Sequence, residues 1–235
     1  ECAPSRGSLM TGMHMGHCRI RANTSVRGQD HLLSEDVTVA EVLKQGGYAT
    51  GFIGKWGIGL PGTEGAPDKQ GFDFSYGYYD QARAHGFFPH YLMRNGKPEP
   101  IPENYGFNMK RVKTYNGRSL DRLDEVMNVY DENGRLVPDG IPDTDAAKYS
   151  ENLFQKEALS FISEHKDKPF FLYYATQLPH GPCITPDLGA YKDKPWRLKH
   201  KEWAAMLGHL DSGVGRMVDM MEQLEILDNT VIFFA

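Results

Sequence analysis

The chain has no block of basic residues, no apolar run of membrane-spanning length, no internal repeat and only 3 cysteines among 235 residues. Each absence excludes something. Lys+Arg number 26 against 31 Asp+Glu, a net charge of −5 that argues against a nucleic-acid partner. No segment reaches the roughly 20 apolar residues that a membrane span needs. Cys2, Cys18 and Cys183 form no Cys-x-x-Cys pair, which removes a thiol redox protein. If Cys2 is committed to chemistry, Cys18 and Cys183 are left to pair or to stay free, and the sequence does not choose between these. His14, His17 and His31 match no tetrahedral zinc spacing and read as loop residues near the active centre.

What is present suffices for one large domain or two small ones, with 40% hydrophobic residues to build a core. The 25 glycines and 14 prolines imply many turns. Residues 38–45 read as a helix: Thr38 and Glu41 form a capping box, and Gly46-Gly47 stop it. A strand follows at 48–53. Residues 146–165 have helical spacing in Tyr149, Leu153, Phe154, Ala158, Phe161 and Ile162. Residues 170–175 are a continuous apolar run, expected as a strand buried on both faces. A long helix is expected at about 202–224, and a second buried strand at 230–235. Helices alternating with apolar strands predict an α/β fold with a largely parallel central sheet flanked by helices. Residues 76–145 break the pattern. Asn95-Gly96 and Asn133-Gly134 mark tight hairpins, and the region is expected as a loop- and hairpin-rich insertion on the rim of the sheet. Its aromatics (Tyr76, Tyr78, Tyr79, Phe87, Phe88, Tyr91) either stack on a ligand ring or pack.

The richest stretch is Cys2-Ala3-Pro4-Ser5-Arg6, continuing to Thr11-Gly12. Pro4 suits a first helical turn and Gly12 the position just past the end. Cys2 then sits at the positive end of a helix dipole, beside backbone N–H groups that are ready to hold a tetrahedral anion. Arg6 lies four residues on and can share a face with Cys2. The arginine spacing is wrong for a cysteine phosphatase, whose loop needs arginine at position 8, where this chain has Ser8. The stretch resembles the signature of the type I sulfatases, C-x-P-S-R-x-x-x-L-x-T-G, at Cys2, Pro4, Ser5, Arg6, Leu9, Thr11 and Gly12.

Two further motifs carry the same resemblance. Gly47-Tyr48-Ala49-Thr50 followed by Gly54-Lys55-Trp56 is similar to the second sulfatase signature, G-Y-x-T-x-x-x-G-K-W. Leu178-Pro179-His180-Gly181-Pro182, after the 170–175 strand, resembles the family's Pro-His-x-Pro turn. Open α/β sheets place ligands beyond the carboxyl ends of their strands, where Lys55 and His180 are both expected. One departure stands out: many relatives have histidine two residues after the lysine, and this chain has Gly57. His85 and His90 are the alternatives, against the reading that both are loop histidines facing solvent. His85 is the preferred substitute, since Gly86 lets its loop fold over the pocket.

The resemblance implies an alkaline-phosphatase-like fold and cleavage of a sulfate monoester through formylglycine made from Cys2 by a sulfatase-maturing enzyme. It implies Cys2 as nucleophile precursor and metal ligand, Arg6 as stabiliser of the formylglycine, Lys55 as a sulfate-binding catalytic residue and His180 as general acid. His85 joins Lys55 and His180 in substrate binding. The metal is expected to be Ca²⁺ (or Mg²⁺), which takes six or more oxygen ligands. Relatives supply those from a strand before the cysteine and a loop after the 230–235 strand. Residues 1–235 are accordingly expected as part of a single catalytic domain, lacking both segments and a C-terminal subdomain. The isolated chain is expected to turn over little. The substrate is a small-molecule or glycan sulfate ester, and the location periplasmic or secreted, with the signal peptide outside this chain. The alternatives are a phosphonate monoester hydrolase or phosphodiesterase of the same superfamily, and a non-catalytic remnant that binds sulfated ligands.

Overall fold

A computed structural model describes residues 1–23, 28–104, 114–115, 118–119, 147–181 and 183–235. Helix α1 spans Cys2–Thr11, with Pro4 in its first turn. Gly12 ends it in the left-handed region (φ 67°), and its N–H returns to Ser8 O at 2.9 Å. Helix α2 (Val39–Gln45) starts on the expected capping box, with Thr38 and Glu41 each bonding the other's backbone N–H. Strand β1 (Ala49–Lys55) follows, then β2 (Phe74–Tyr78), β3 (Tyr91–Arg94) and β4 (Lys97–Pro100). A separate two-residue pairing, β5 (Thr114–Tyr115) with β6 (Arg118–Ser119), stands outside the main sheet. Helix α3 (Ser150–His165), strand β7 (Phe170–Ala175) and helix α4 (Leu198–Gln223) complete the order.

The main sheet runs β4-β3-β2-β1-β7. β1 pairs in parallel with β2 and with β7, whereas β2, β3 and β4 pair antiparallel. It is therefore a mixed sheet flanked by helices, the expected α/β class with a parallel half. Side chains of β1 alternate between two cores. Phe52 packs with Trp56 and Phe72 on the side of α1 and α2, where Ala3, Met10 and Ala40 are buried. Ile53 faces the other side, with Phe154, Phe161 and Ile162 of α3 and Met217 and Met221 of α4. The α3 face lies close: a Cβ on Gly51 would stand 2.7 Å from the Phe161 ring.

Three expectations change. The start of the supposed rim insertion is sheet: β2, β3 and β4 extend it, and Asn95-Gly96 makes the β3–β4 hairpin with φ of 49° and 79°. β7 is half-buried rather than enclosed, because it ends the sheet and has β1 alone as neighbour among the described strands. Residues 230–235 form no strand. A strand is held by its neighbour's hydrogen bonds, and none of the described strands lies beside them, so Phe233 is 90% exposed. Asn133-Gly134 lies outside the described residues. No described helix is long and apolar enough to cross a membrane.

The tight contact over Gly51 gives a direct test of the layer packing. Gly51→Ala is expected to lower the unfolding free energy in urea by about 1–3 kcal/mol, and Phe161→Leu in the same chain to return part of it.

Candidate active site

Helix α1, β1 and β7 meet at one place because Arg6 binds them together. Its guanidinium donates from Nη1 to Lys55 O at the end of β1, and from Nη2 to Thr176 O just past β7, at 3.4 Å. The first turn of α1 therefore sits over the carboxyl ends of two parallel strands, the expected ligand position in such a sheet. Gly7, on the same helix, has no room for a side chain: Cys18 Sγ lies 3.0 Å from the position of a Cβ. Cys18 is buried and Cys183 half-buried, and both are free thiols. The helix N-terminus is less open than the sequence implies, since Ala3 N–H donates to Asn23 Oδ1 at 2.9 Å.

The four residues predicted to carry the chemistry converge here. Cys2 Sγ is 3.9 Å from His180 Nε2. His180 Nδ1 lies 2.5 Å from Gly181 O. A carbonyl only accepts, so Nδ1 carries a proton and Nε2 is the ring atom turned to exchange one with the group at position 2. That contact, assisted by the Lys55 ammonium and opposed by burial, draws the Cys2 thiol down from 9.0 to about 6. Lys55 is 1% exposed. Burial lowers its pKa to about 8 and the Arg6 cation adds to this, while the Cys2 thiolate holds it up. Lys55 thus keeps its charge at neutral pH, inside a site that a second cation shares.

His85 reaches the same place. Its ring packs edge-on to His180 with centroids 4.6 Å apart, and its Nδ1 donates to Ala82 O at 2.8 Å. Burial and the Lys55 charge push its pKa to about 4, so it is a neutral ring with an acceptor Nε2. Gly86 serves differently from the expectation: its carbonyl accepts from the Tyr78 hydroxyl, which closes the loop onto β2. His90 is half-buried in the loop before β3. His14 and His17 are exposed. Of the six aromatics read as stacking or packing, Tyr76, Tyr78, Tyr79 and Phe87 are buried in the cores, and Phe88 packs on Tyr149. Tyr91 lines a cavity of about 320 Å³ with Asp80, Arg83 and Leu60, and the Arg83 guanidinium lies 4.6 Å from its ring centre.

Residues that carried no motif also belong to the site. Gln81 is buried beside Cys2, and its Oε1 lies 2.3 Å from where a Cβ on Gly57 would stand. Gly57 has φ 74°, a left-handed conformation that suits glycine. The absent side chain at position 57 is thus filled from the turn after β2, and the legible signal was that gap alone. Glu151, at the start of α3, accepts from the Tyr174 hydroxyl and from Thr176 Oγ1 at 2.9 Å. Burial raises its pKa to about 7 despite those donors. It ties α3 to the residue whose carbonyl receives Arg6. Pro182 lies outside the described residues.

The divalent cation implied by the sequence resemblance needs a cluster of oxygen donors. Among the described residues no group of three or more His, Cys, Asp or Glu is placed to hold one. The donor set around Cys2 is cationic and does not fit a calcium shell, so no step below passes through a metal.

The electrostatics give a pH test. Alkylation of unmodified Cys2 by iodoacetamide is expected to rise through about pH 6, well below the ordinary thiol range. His180→Ala is expected to move that midpoint upward by removing the group that most favours the thiolate, and Lys55→Met by a smaller step. Mass spectrometry of the alkylated peptide across pH reads both.

Comparison with known proteins agrees with this geometry. The family model described as Sulfatase matches residues 1–235. An N-acetylgalactosamine-6-O-sulfatase of Bacteroides thetaiotaomicron is 28% identical over 271 residues, covering 99% of this chain and 48% of that protein. Human arylsulfatase G is 33% identical over 245 residues, covering 100% of this chain and 41% of that protein. The chain therefore spans less than half the length of these curated relatives. Among solved structures, Ps i-CgsB in complex with k-i-k-neocarrahexaose superposes with a TM-score of 0.64 at 22% identity, over 95% of this chain and 45% of that one. A protein solved with its substrate D-glucosamine-2-N,6-O-disulfate gives 0.60 at 15% identity, over 98% of this chain and 54% of that one. At those identities the likeness speaks for the fold. The match over every residue, together with three motifs brought to one point by Arg6, makes this chain a member of the sulfatase family.

Proposed function

We propose that the protein carrying this chain is a sulfuric ester hydrolase that works through formylglycine made from Cys2. The observation that carries the reading is the approach of His180 Nε2 to Cys2 Sγ, 3.9 Å, beside the buried Lys55. When Cys2 is converted, the hydrated aldehyde supplies one hydroxyl to attack sulfur and a second to release the sulfate.

Each residue then has a task set by its surroundings. Lys55, a point charge buried at the end of β1, binds a sulfate oxygen and offsets charge that builds up in the transition state. Arg6 keeps position 2 aimed at that point, because its guanidinium is held by two backbone carbonyls. His180, with its Nδ1–H anchored on Gly181 O, turns Nε2 to the leaving oxygen and, when Nε2 carries a second proton, acts as general acid. His85 stacks edge-on behind it as a neutral substrate contact. The sugar or aryl part of the ester is assigned to the cavity lined by Asp80, Arg83 and Tyr91, which adjoins the turn that carries Gln81, with the Arg83 guanidinium stacked over the Tyr91 ring.

A sulfated glycan is the favoured substrate class. The support is the B. thetaiotaomicron relative named for N-acetylgalactosamine and the neighbours solved with neocarrahexaose and glucosamine disulfate. A formylglycine-generating enzyme that reads Cys2, Pro4 and Arg6 is the implied maturation partner. The implied location is periplasmic or secreted. The implied Ca²⁺ or Mg²⁺ ion would draw most of its ligands from outside the described residues.

Peptide mass spectrometry across residues 2–6 of the natively produced protein is expected to find formylglycine at position 2, and an unmodified thiol there would contradict the reading. His180→Ala is expected to cut kcat by about 10²–10⁴-fold on a sugar sulfate. The loss should shrink markedly on an aryl sulfate, whose phenolate leaves without a proton. An equal loss on both substrates would remove His180 as the acid. Turnover of aryl phosphonate above aryl sulfate would favour the phosphonate hydrolase.

A further inference from the structure

Gln81 is a buried amide whose polar atoms complete no hydrogen bond of ordinary geometry. Its backbone is fixed from two sides: its own N–H donates to Gln29 Oε1 at 2.6 Å, and Gln29 Nε2 donates to Tyr79 O at 3.1 Å. The residue is 2% exposed. Neither Oε1 nor Nε2 makes a hydrogen bond of ordinary geometry among the described residues. A carboxamide removed from water without partners destabilises the fold, and such groups are rare in native structures. It also occupies room that exists only because residue 57 is glycine: a Cβ there would stand 2.3 Å from Oε1. The carboxamide faces the Cys2 sulfur and favours its ionised form, as a donor does. The neighbouring charges, Lys55 and Arg6, are both cations. A desolvated N–H₂ held beside the Cys2 sulfur and two cations is a donor placed for an anionic oxygen.

We propose that Gln81 is a ligand-contacting residue whose carboxamide N–H₂ donates to an oxygen of the sulfate group bound between Cys2 and Lys55, in the space that Gly57 leaves open. Gln29 is the positioning residue that holds the turn so that the amide points inward. The inference rests on the sulfatase reading above and adds to it a recognition group that no motif marks.

The test uses the full-length protein with inorganic sulfate as the binding probe and para-nitrophenyl sulfate as the kinetic one. Gln81→Leu keeps the volume and removes the donor. It is expected to weaken sulfate binding and raise KM by about 10–100-fold, the effect of one hydrogen bond to a charged group. Thermal stability should hold or rise, because an unsatisfied buried amide has been replaced by hydrocarbon. Gln81→Glu should weaken sulfate binding further, by placing a carboxylate against the anion. Gly57→Ala should reproduce the binding loss from the other side, by displacing the amide. A Gln81→Leu protein that binds sulfate within twofold of the parent overturns the proposal, and a fall in stability with binding unchanged would assign Gln81 to packing. Should Gln81→Leu not fold, Gln81→Met must show the same loss of affinity or the proposal fails. A parent protein that neither binds sulfate nor hydrolyses the ester overturns both this inference and the sulfatase reading. A parent that hydrolyses it, with Gln81→Leu unchanged, overturns this one alone.

Discussion

Arg6 reaches from helix α1 to the carbonyl oxygens of Lys55 and Thr176, so one guanidinium holds a helix start against the ends of two parallel strands. The planar fork of the side chain suits this better than a lysine would, because it presents several donors in fixed directions. The rest of the site follows from that attachment. Cys2 sits over the sheet end because α1 is pinned there. Lys55 stays at the centre because its own carbonyl is one of the two anchors. His180 is in reach because the loop that carries it begins at Thr176, which Glu151 also grips from α3. Three elements distant in sequence are thus referenced to one charged group.

That arrangement has an electrostatic cost. Two cations and two histidines share a confined volume beside one thiol, and Lys55 gives up part of its basicity to remain there. The folded state tolerates this because the position-2 group, as thiolate, returns some of the charge balance. The same imbalance makes the place receptive to a tetrahedral anion. Such preorganised charge acts on a transition state without having to rearrange.

Much of this was legible where the signal is local. The Thr38–Glu41 capping box, the Gly12 helix end and the Asn95-Gly96 hairpin were readable because each depends on a few adjacent residues and a backbone angle. The Cys2, Lys55 and His180 motifs were readable by resemblance, and the sheet supplied the reason they meet. What escaped was set by pairing across the chain. β3 and β4 look like a rim excursion because nothing local says which strand they will join. The clue was in Lys97-Pro98-Glu99-Pro100, since two prolines confine a strand to a sheet edge. The apolar run at 230–235 reads as a buried strand, but hydrophobicity marks burial only where a partner strand exists. Gln81 and Asn23 escaped because amides in turns carry no spacing rule. Only the partners they meet reveal them.

The contact between Gly57 and Gln81 also bears on how such a site changes over generations. The turn after β2 and the turn after β1 share one volume, and only one of them can fill it with a side chain. With a side chain at position 57, the amide of Gln81 must shift from where it now lies. The two positions are therefore coupled, and a change at one is felt at the other. Substitutions that look independent in the sequence are joined by about one side chain's worth of space.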